Sequence, residues 1–559
     1  MPVQKTEEPF TAPDELLFVP LGGAGEIGMN LNLYGYGGRW LMVDLGVSFG
    51  DDSMLSIDVF MADPAFIEER RDRLEGIVLT HGHEDHLGAV AFLWPRLRCP
   101  VYATPFAAAI LEGKLQEAGL AGQVPVHVVP LGGQIKLGPF DIELVTLTHS
   151  IPEPNALAIR TPAGTVLHTG DWKFDPAPLV GPTADIEALR RIGDDGVLAL
   201  VGDSTNVFVA GEAGSEADVR KSLIELFGQF RSRIAVACFA SNVARLESIA
   251  HAARANGRQV ALVGRSLLKI EAAARRNGYL RDTPPFLDDH DAAYLPKDEV
   301  LYICTGSQGE PRAALARIAA GDHPHVGLDA GDVAIFSSRI IPGNERAINE
   351  LQNKLVRRNV ELVTEKDHFV HVSGHPGRDE LARMYQLVRP RVAVPVHGEA
   401  RHLVEHARLA RSCQVPQTLV VENGAIVRLA PGNAEIIGAA PFGRLAVDGN
   451  RLVDLESDLL RKRHRMLWSG NAVVTVVLDR MGKLLGDPQV SAQGLIDAER
   501  DSVEYDELVD SVREAIADLP LKARQDDGVV KEEARLAVRR TLKANYGKKP
   551  VTDVHLVRV

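Results

Sequence analysis

The sequence predicts an α/β protein in which a sheet-rich domain is interrupted by a doubly wound α/β insertion and followed by a small C-terminal α/β domain. Three observations indicate this class. Short apolar runs punctuated by glycine and proline fill about the first 200 residues, strands and helices then alternate, and the pattern of short apolar runs returns after about residue 370. We therefore predict one domain in two parts, residues 1–212 and 366–445, around an insertion at 213–365, with a C-terminal domain at 446–559.

Strand-like segments dominate the first part of the interrupted domain, and few long helices, such as Ala107 to Glu117, separate them. Strands bounded by turn residues in this way are typical of packed sheets flanked by helices. The predicted strands are Leu16 to Pro20, Met29 to Tyr34, Trp40 to Asp44, Gly76 to Thr80, Val126 to Val129, Ile142 to Thr146, Thr165 to His168 and Val197 to Val201.

Regular alternation of strands and helices marks the insertion, as expected for a parallel sheet covered on both faces. Its predicted elements are helices Glu216 to Phe230 and Val243 to Ala255, with strands Ile234 to Cys238, Gln259 to Val263, Val300 to Cys304 and Val333 to Phe336. The segment from Leu419 to Pro441 is again β-like. In the tail, strands Ala472 to Leu478 and Asp553 to Val557 enclose helices Val503 to Asp518 and Val530 to Ala544.

Composition places the chain among globular proteins of a reducing compartment. It has 559 residues, of which 45% are hydrophobic and 25% charged. The four cysteines are scattered without a CxxC pair, so the sequence indicates neither a zinc ribbon nor a disulfide framework and favours the cytoplasm. No apolar run reaches the roughly 18 residues of a membrane span, and the polar start from Met1 to Glu15 is not typical of a signal peptide.

The net charge of −13 argues mildly against nucleic acid as a partner, because phosphate binders usually carry a basic footprint. Bound cations would change this balance, since two divalent ions bring about four positive charges of their own. One basic run, Arg461 to Arg465, is more typical of a solvated helix face than of a binding patch. Charge alone therefore does not decide the partner.

The most informative feature is a series of metal-binding residues, each at the end of an apolar run. The densest group is His81-Gly82-His83-Glu84-Asp85-His86, directly after the strand-like Gly76 to Thr80. Later members of the series are His149, Asp171 and His397. Histidine and aspartate in such a set can hold two divalent cations side by side, and paired cations are typical of hydrolases.

The spacing His81-x-His83-x-Asp85-His86 resembles the signature of the metallo-β-lactamase superfamily. The resemblance implies an αβ/βα sandwich with two divalent ions, zinc being favoured and Mn²⁺ or Mg²⁺ also able to support activity. It assigns one ion to His81, His83 and His149 and the other to Asp85, His86 and His397, with Asp171 bridging the two.

Further motifs resemble those of the β-CASP nuclease branch, and in particular of the bacterial ribonuclease J family. They are Gly202 to Asn206, Phe239 to Asn242, Thr305 to Pro311, Ser338 to Glu345, His371 to His375 and Pro395 to Glu399. The resemblance covers essentially the whole chain. It implies RNA processing and decay by a 5′-to-3′ exonuclease that prefers 5′-monophosphate ends and has some endonuclease activity. It also implies a homodimer or homotetramer formed through the C-terminal domain, with other RNA-decay proteins as possible partners.

The candidate catalytic residues are Asp85, Asp203 and His371, where Asp203 would orient a neighbouring histidine and His371 would protonate the leaving oxygen or stabilise the transition state. The alternative for Asp203 is a strand-end cap. The candidate RNA-binding residues are Ser241, Asn242, His371, Val372, Ser373, Gly374 and His375. For Ser241 and Asn242, helix capping is the alternative.

A glycine-rich motif and an acidic loop near the N-terminus are weaker signals. Gly23 to Gly28 matches GxGxxG, but an alternating strand follows the glycines instead of a helix, which predicts a β-hairpin and not a dinucleotide site. Asp51, Asp52 and Asp58 form an acidic loop that is either solvated or holds an additional structural cation.

Other functions remain open on sequence grounds: a DNA nuclease of the same branch, a small-ester hydrolase such as a lactonase, and a non-catalytic RNA-binding scaffold. The insertion disfavours the small-substrate enzyme because it would roof the site. The complete ligand series disfavours the scaffold.

Overall fold

The computed structural model describes residues 14–50, 54, 57–341, 343–497 and 500–559. The chain divides into two compact units, residues 1–447 and 448–559. Three residues of the predicted motifs, namely Asp51, Asp52 and Pro342, lie outside the described residues.

The described part of the first unit begins with fourteen strands and five α-helices. In chain order they are β1 (Leu16–Gly22), β2 (Ala24–Gly25), β3 (Leu31–Tyr36), β4 (Arg39–Val43), β5 (Val47–Phe49), β6 (Val59–Ala62), α1 (Ala65–Glu68), β7 (Leu74–Val78), α2 (Glu84–Leu87), α3 (Val90–Leu97), β8 (Val101–Ala103), α4 (Pro105–Glu117), β9 (Val126–Val128), β10 (Gln134–Leu137), β11 (Phe140–Thr146), β12 (Asn155–Thr161), β13 (Gly164–His168), α5 (Ile186–Asp195) and β14 (Ala199–Asp203).

The insertion follows, and the chain then returns to the first fold. The insertion contains α6 (Glu216–Phe227), β15 (Ile234–Ala237), α7 (Val243–Ala255), β16 (Gln259–Val263), α8 (Arg265–Arg276), α9 (Asp289–Ala292), β17 (Val300–Cys304), α10 (Ala314–Ala320), β18 (Val333–Phe336), α11 (Glu345–Arg357) and β19 (Glu361–Val363). The returning segment contains α12 (Arg378–Val388), β20 (Val392–Val396), β21 (Gly398–Glu399), α13 (Ala400–Ser412), β22 (Gln417–Thr418), β23 (Ala425–Ala430), β24 (Glu435–Ala439) and β25 (Arg444–Asp448).

Two sheets pack face to face in the first unit. One has the strand order β24-β23-β1-β3-β4-β7-β8-β9 and the other β10-β11-β12-β13-β14-β20-β22. Their shared core joins Phe18 and Val43 of the first sheet to Ile142 and Val394 of the second. A further core lies between the second sheet and helices α5, α12 and α13. This arrangement is the predicted αβ/βα sandwich, and both sheets include strands from either side of the insertion.

The glycine-rich segment near the N-terminus forms no dinucleotide fold. Strands β3 and β4 pair as an antiparallel hairpin that closes at Tyr36 and Arg39, which confirms the predicted hairpin. Before it, the two-residue strand β2 pairs with β21, so that Ala24 lies beside Gly398. This contact joins the first and second parts of the interrupted domain next to His397.

The insertion is a five-stranded parallel sheet in the order β16-β17-β15-β18-β19. Separate apolar cores cover its two faces, as the doubly wound prediction requires. In an open parallel sheet, ligand-binding loops follow the carboxyl ends of the strands. Here those loops carry Ser241 after β15, Gln308 after β17 and Arg339 after β18.

The second unit has its own core. It contains β26 (Arg451–Asp454), α14 (Asp458–Ser469), β27 (Asn471–Leu478), β28 (Gln489–Ser491), α15 (Ser502–Ala517), α16 (Asp527–Tyr546) and β29 (Val551–Arg558). The sheet order is β28-β27-β29, and α15 and α16 contribute to the core that covers it. None of the residues of α14 is buried, and Arg461 pairs with Asp458 there, so the basic run is a solvated helix face.

Candidate active site

The predicted metal ligands follow the carboxyl ends of strands from both sheets of the sandwich. His81 to His86 come after β7, and the last three of them begin helix α2, with His83 as its N-cap. His149 follows β11, Asp171 follows β13 and His397 follows β20. Because these strand ends meet at one edge of the paired sheets, side chains far apart in sequence lie in one cluster.

All seven predicted ligands are brought together in two groups that share one carboxylate. Each residue in a group offers a ligand atom within 4.8 Å of the others. The first group is His81, His83, His149 and Asp171, and the second is Asp85, His86, Asp171 and His397. The sharing of Asp171 matches the bridging position that the resemblance assigns to it.

The distances within the cluster suit cations. Nδ1 of His83 lies 3.1 Å from Nε2 of both His81 and His149. The carboxylate of Asp171 lies 3.3 Å from Nε2 of His86 and 2.8 Å from Nδ1 of His397. Three imidazole nitrogens converge on the same space with few protons to share, so a Lewis acid satisfies them better than hydrogen bonds do.

A second observation supports this fit. Nε2 of His397 is buried and has no hydrogen-bond partner among the described residues. It lies 3.6 Å from Oδ2 of Asp85. A buried nitrogen lone pair facing a carboxylate is costly unless a cation lies between them. The residues present therefore fit a pair of divalent metal ions.

Protonation differs between the two groups. In the second, burial lowers the pKa of His86 and His397, but Asp171 and the neighbouring carboxylates together raise it more, so a cation binding there would displace protons. In the first, protonation favours metal binding. Burial, followed by the neighbouring imidazoles, lowers the pKa of His81 and His83 well below the ordinary value. Burial lowers the pKa of His149 to about 3. Burial raises the pKa of Asp171, but His397 and His86 lower it more, so that the carboxyl group is ionised. Neutral imidazoles and ionised carboxylates are the forms that bind cations.

Outer partners fix the orientation of these ligands. Oδ2 of Asp44 lies 2.7 Å from Nδ1 of His86, and Asp44 also accepts hydrogen bonds from the backbone N–H (2.7 Å) and the hydroxyl (2.8 Å) of Thr80. The hydroxyl of Thr80 lies 3.0 Å from Nδ1 of His81. One buried carboxylate thus positions a ligand from each group, directly for His86 and through Thr80 for His81.

The sequence predicted Asp44 only as the last residue of a strand and did not indicate this role. The available signal was its position, because Asp44 directly follows strand β4 as the ligands follow theirs. Two further outer partners are the carbonyl of Gly374, 2.5 Å from Nδ1 of His149, and the hydroxyl of Ser241, 3.1 Å from Nε2 of His83.

Asp203 orients a histidine, but that residue is His375. Oδ2 of Asp203 lies 2.8 Å from Nδ1 of His375. Its other oxygen accepts hydrogen bonds from the backbone N–H and the hydroxyl of Thr205, at 2.9 and 2.7 Å. Asp203 therefore contacts His375 and also caps the end of its strand, and its part in catalysis stays a prediction. With Asp171, the pair forms a third group of potential ligands.

His371 lies apart from these groups, in a cationic environment. Nη1 of Arg245 lies 3.5 Å from its Nδ1. Burial, followed by Arg245, Arg339 and Lys173, lowers the pKa of His371 well below the ordinary value. A histidine held neutral in this way is a hydrogen-bonding group and not a reservoir of protons.

The other predicted RNA-binding residues divide into two sets. His371, Ser373 and His375 alternate with buried neighbours and are partly exposed. The side chain of Val372 packs in the core of the insertion, so only its backbone can contact RNA.

Asn242 is buried and caps α7. Its side-chain oxygen accepts from the N–H of Arg245 at 2.9 Å, and its side-chain nitrogen donates to Glu216 at 3.2 Å. Asn242 thus makes the capping contact of the alternative, and a role in binding RNA stays a prediction.

The acidic loop provides no described cation site. Asp51 and Asp52 lie outside the described residues, and Asp58 is exposed and pairs with Arg312. No group of potential ligands that includes Asp58 is found among the described residues.

Fold and site together define a metallo-hydrolase of the metallo-β-lactamase type with an inserted α/β domain. Four sequence profiles match the chain in order. They are described as "Metallo-beta-lactamase superfamily" at residues 29–225, "Ribonuclease J, beta-CASP domain" at 231–355, "Zn-dependent metallo-hydrolase RNA specificity domain" at 359–420 and "Ribonuclease J C-terminal domain" at 458–559.

Full-length relatives agree with these profiles. The chain is 45% identical over 561 residues to a protein named Ribonuclease J from Sinorhizobium meliloti, covering 99% of each chain. It is 42% identical to Ribonuclease J from Mycobacterium tuberculosis over 85% of each chain. The chain therefore belongs to the ribonuclease J family, and it is a metal-dependent ribonuclease in class.

Among solved structures, a protein of unknown function from Enterococcus faecalis V583 matches with a TM-score of 0.54 and 17% identity, over 74% of this chain and 100% of that one. This likeness shows the fold alone. The superfamily implies divalent metal ions, for which the clustered ligands provide the site. No helix in the described part of the chain has the length and apolarity to cross a membrane.

Proposed function

We propose that this protein hydrolyses RNA phosphodiesters with two divalent metal ions, acting as a 5′-to-3′ exonuclease on 5′-monophosphorylated ends and cutting internally at times. The observation that carries the proposal is the pair of ligand groups joined by Asp171 beside the Asp203–His375 pair. We favour zinc, given its preference for imidazole and carboxylate ligands, with Mn²⁺ or Mg²⁺ also supporting activity.

The ligands are assigned as the resemblance suggested. His81, His83 and His149 would hold one ion, Asp85, His86 and His397 would hold the other, and Asp171 would contribute to both. When bound, the two ions supply activation of water and neutralisation of phosphate charge. Asp85 is partly exposed, at 29% of its side chain, and is our candidate to accept the proton of the attacking water.

We assign protonation of the leaving oxygen to His375 in place of His371. Burial lowers the pKa of His375, but Asp203 and Asp171 raise it to about 9, so the ring carries a proton at neutral pH. Since Asp203 accepts from Nδ1, Nε2 is the position from which a proton leaves. Water adds a hydroxyl group to phosphorus, the bond from phosphorus to O3′ breaks, and O3′ takes the proton of His375. The shortened RNA keeps a 5′-phosphate.

His371, Ser373 and Gly374, with the backbone of Val372, are proposed to contact RNA phosphates. The hydroxyl of Ser373 accepts from Asn206 at 2.7 Å and from the N–H of His375 at 3.1 Å, which orders the turn. Ser241 is proposed to act mainly through His83, the ligand it touches.

The test is product analysis on end-labelled RNA with Mn²⁺ or Mg²⁺. We expect mononucleotides from 5′-monophosphate RNA, less product from 5′-triphosphate RNA, and loss of activity in Asp171→Asn. Single-stranded DNA and a lactone under the same conditions test the alternative substrates. Absence of mononucleotide release would reject the exonuclease, and full activity of Asp171→Asn would reject this site.

We further propose that residues 446–559 mediate a homodimer or homotetramer. The support is the family's C-terminal profile at 458–559. Light scattering of the full chain should give an oligomer, and a chain ending at residue 445 should give a monomer. A full chain that is already monomeric would contradict the assignment. Other RNA-decay partners and a cytoplasmic location stay predictions, the latter carried by four cysteines that are all free.

A further inference from the structure

We propose that Arg339 recognises the charge of the terminal 5′-phosphate of RNA, and that Asn206 holds it beside the His371 to His375 turn. The inference rests on the proposed function and names the residue that gives the site its preference for a monophosphorylated end. Nothing in the sequence motifs or the family match assigns this role to Arg339.

Arg339 is linked to the turn from His371 to His375 by a single side chain. Arg339 is exposed and follows strand β18 of the insertion. Its Nη1 lies 3.4 Å from Oδ1 of Asn206. Nδ2 of Asn206 donates to the hydroxyl of Ser373 at 2.7 Å and to the carbonyl of His375 at 3.1 Å. One amide group therefore ties the guanidinium to the turn proposed to bind phosphate.

Arg339 differs from the neighbouring cations because its charge is not neutralised by a described carboxylate. Three cations lie near enough to His371 to affect it, and two of them are buried and neutralised. Arg245 binds Glu216, with Nη2 at 2.9 Å from its carboxylate, and Lys173 binds Asp175 at 2.9 Å. Arg339 has no carboxylate within ion-pair distance in the part of the chain that is described, so its charge is available to a ligand.

Gln308 holds the backbone at Arg339 in place. The side-chain amide of Gln308 donates to the carbonyl of Arg339 at 2.9 Å and accepts from the N–H of Ile341 at 2.9 Å. The backbone from Arg339 to Ile341 is thus held in place before substrate binds. A pre-positioned guanidinium loses little entropy when it binds phosphate, and its planar fork matches two phosphate oxygens.

His371 adds a hydrogen-bond donor to the same site. A guanidinium can only donate, so Nδ1 of His371 accepts from Arg245 and its proton is on Nε2. His371 and Arg339 then present donors only. At neutral pH a terminal monophosphate carries about one more negative charge than an internal phosphodiester, and a 5′-hydroxyl end carries none. Two donors, one of them an uncompensated cation, favour that end.

The experiment compares Arg339→Gln and Arg339→Lys with the wild type on RNAs that differ only in a 5′-monophosphate or a 5′-hydroxyl. Arg346→Gln is the matched control, because Arg346 is exposed on α11 of the same domain and pairs with Glu350. Wild-type activity and preference establish the baseline. If the wild type releases no mononucleotides or shows no preference, the proposed function fails before this inference is reached.

We expect Arg339→Gln to lower kcat/KM on monophosphate RNA by about tenfold or more, the loss of one charged hydrogen bond. Activity on 5′-hydroxyl RNA should stay within about twofold. Arg339→Lys should retain part of the preference, and Arg346→Gln should match the wild type. Equal losses on both RNAs would place Arg339 on internal phosphates and overturn the proposal, as would an unchanged preference. Melting temperatures equal to the wild type exclude misfolding as the cause.

Discussion

Asp44 tests whether orientation of the ligands by outer partners controls metal binding. In Asp44→Asn, His86 loses the carboxylate at its Nδ1 and Thr80 loses a charged acceptor. We expect metal affinity or activity to fall roughly 10- to 100-fold, as is typical for such partners. Metal titration followed by elemental analysis checks this.

Asp141→Asn is the matched control, because Asp141 is exposed on strand β11. It should bind metal as the wild type does. Full metal occupancy in Asp44→Asn at limiting metal would mean that the ligands keep their geometry without the carboxylate, contrary to this account.

Gly374 tests the contact between the turn from His371 to His375 and the cluster of predicted metal ligands. A Cβ atom at this position would lie 2.8 Å from both Cε1 and Nδ1 of His149. Since the ring cannot move without leaving its group, Gly374→Ala should lower kcat at least about tenfold, because small displacements in an active site are costly. Steady-state kinetics and metal content measure the effect.

Gly113→Ala provides the control for the same chemical change. Gly113 lies on helix α4, where an added Cβ meets nothing within 4 Å. Alanine there should leave kcat unchanged and stabilise the helix by about 0.5–1 kcal/mol. Equal kinetics for both variants would show that the turn does not hold His149.

At the residue scale, sequence predicted the ligands because each follows an apolar strand and carries ligand chemistry. It could not pair Asp203 with His375 instead of His371, because both histidines lie on one turn and the choice depends on the packing of Arg245 against His371. For Asn242, the polar side chain is common to phosphate binding and to helix capping. Only the structure shows the buried capping contact.

At the scale of elements, a buried ion pair joins helices α6 and α7. Its arginine also lies beside His371, the first residue of the turn from His371 to His375. Arg245 and Glu216 are almost fully buried, and Arg245 donates to the carbonyls of Ser337 and Val370 at 2.9 and 3.1 Å. Removal of one partner leaves the other charge buried and unpaired. Arg245→Met should therefore destabilise the insertion by about 3–5 kcal/mol.

The measurement is urea unfolding combined with hydrogen exchange of α6 and α7. The double variant Arg245→Met with Glu216→Gln should recover part of the loss, because it leaves no unpaired charge. A single variant as stable as the wild type, or a double variant less stable than the single one, would contradict a structural role for this pair.

Element types were predictable where strands and helices alternate, as in the insertion, because buried parallel strands are continuous apolar runs. The two-residue strands β2 and β21 were not predictable. Their pairing joins Ala24 to Gly398, and no local pattern in either segment indicates the partner. The domain boundaries at residues 212, 365 and 445 stay predictions, although the structure divides the chain at residue 447.

At the scale of the whole molecule, the net charge of −13 is compatible with an anionic substrate because charge acts locally. The ligand cluster would take up two divalent cations, and Arg339 adds an exposed charge linked through Asn206 to the turn from His371 to His375. The central claim is therefore that segments from both parts of the interrupted domain jointly hold two cations.

Anomalous diffraction from crystals grown with Mn²⁺ tests this claim most directly. The account predicts two peaks about 3.5–4 Å apart, both within bonding distance of Asp171. One should contact His81, His83 and His149, and the other Asp85, His86 and His397. A map without peaks in this cluster, or with a single peak that Asp171 does not contact, would contradict it.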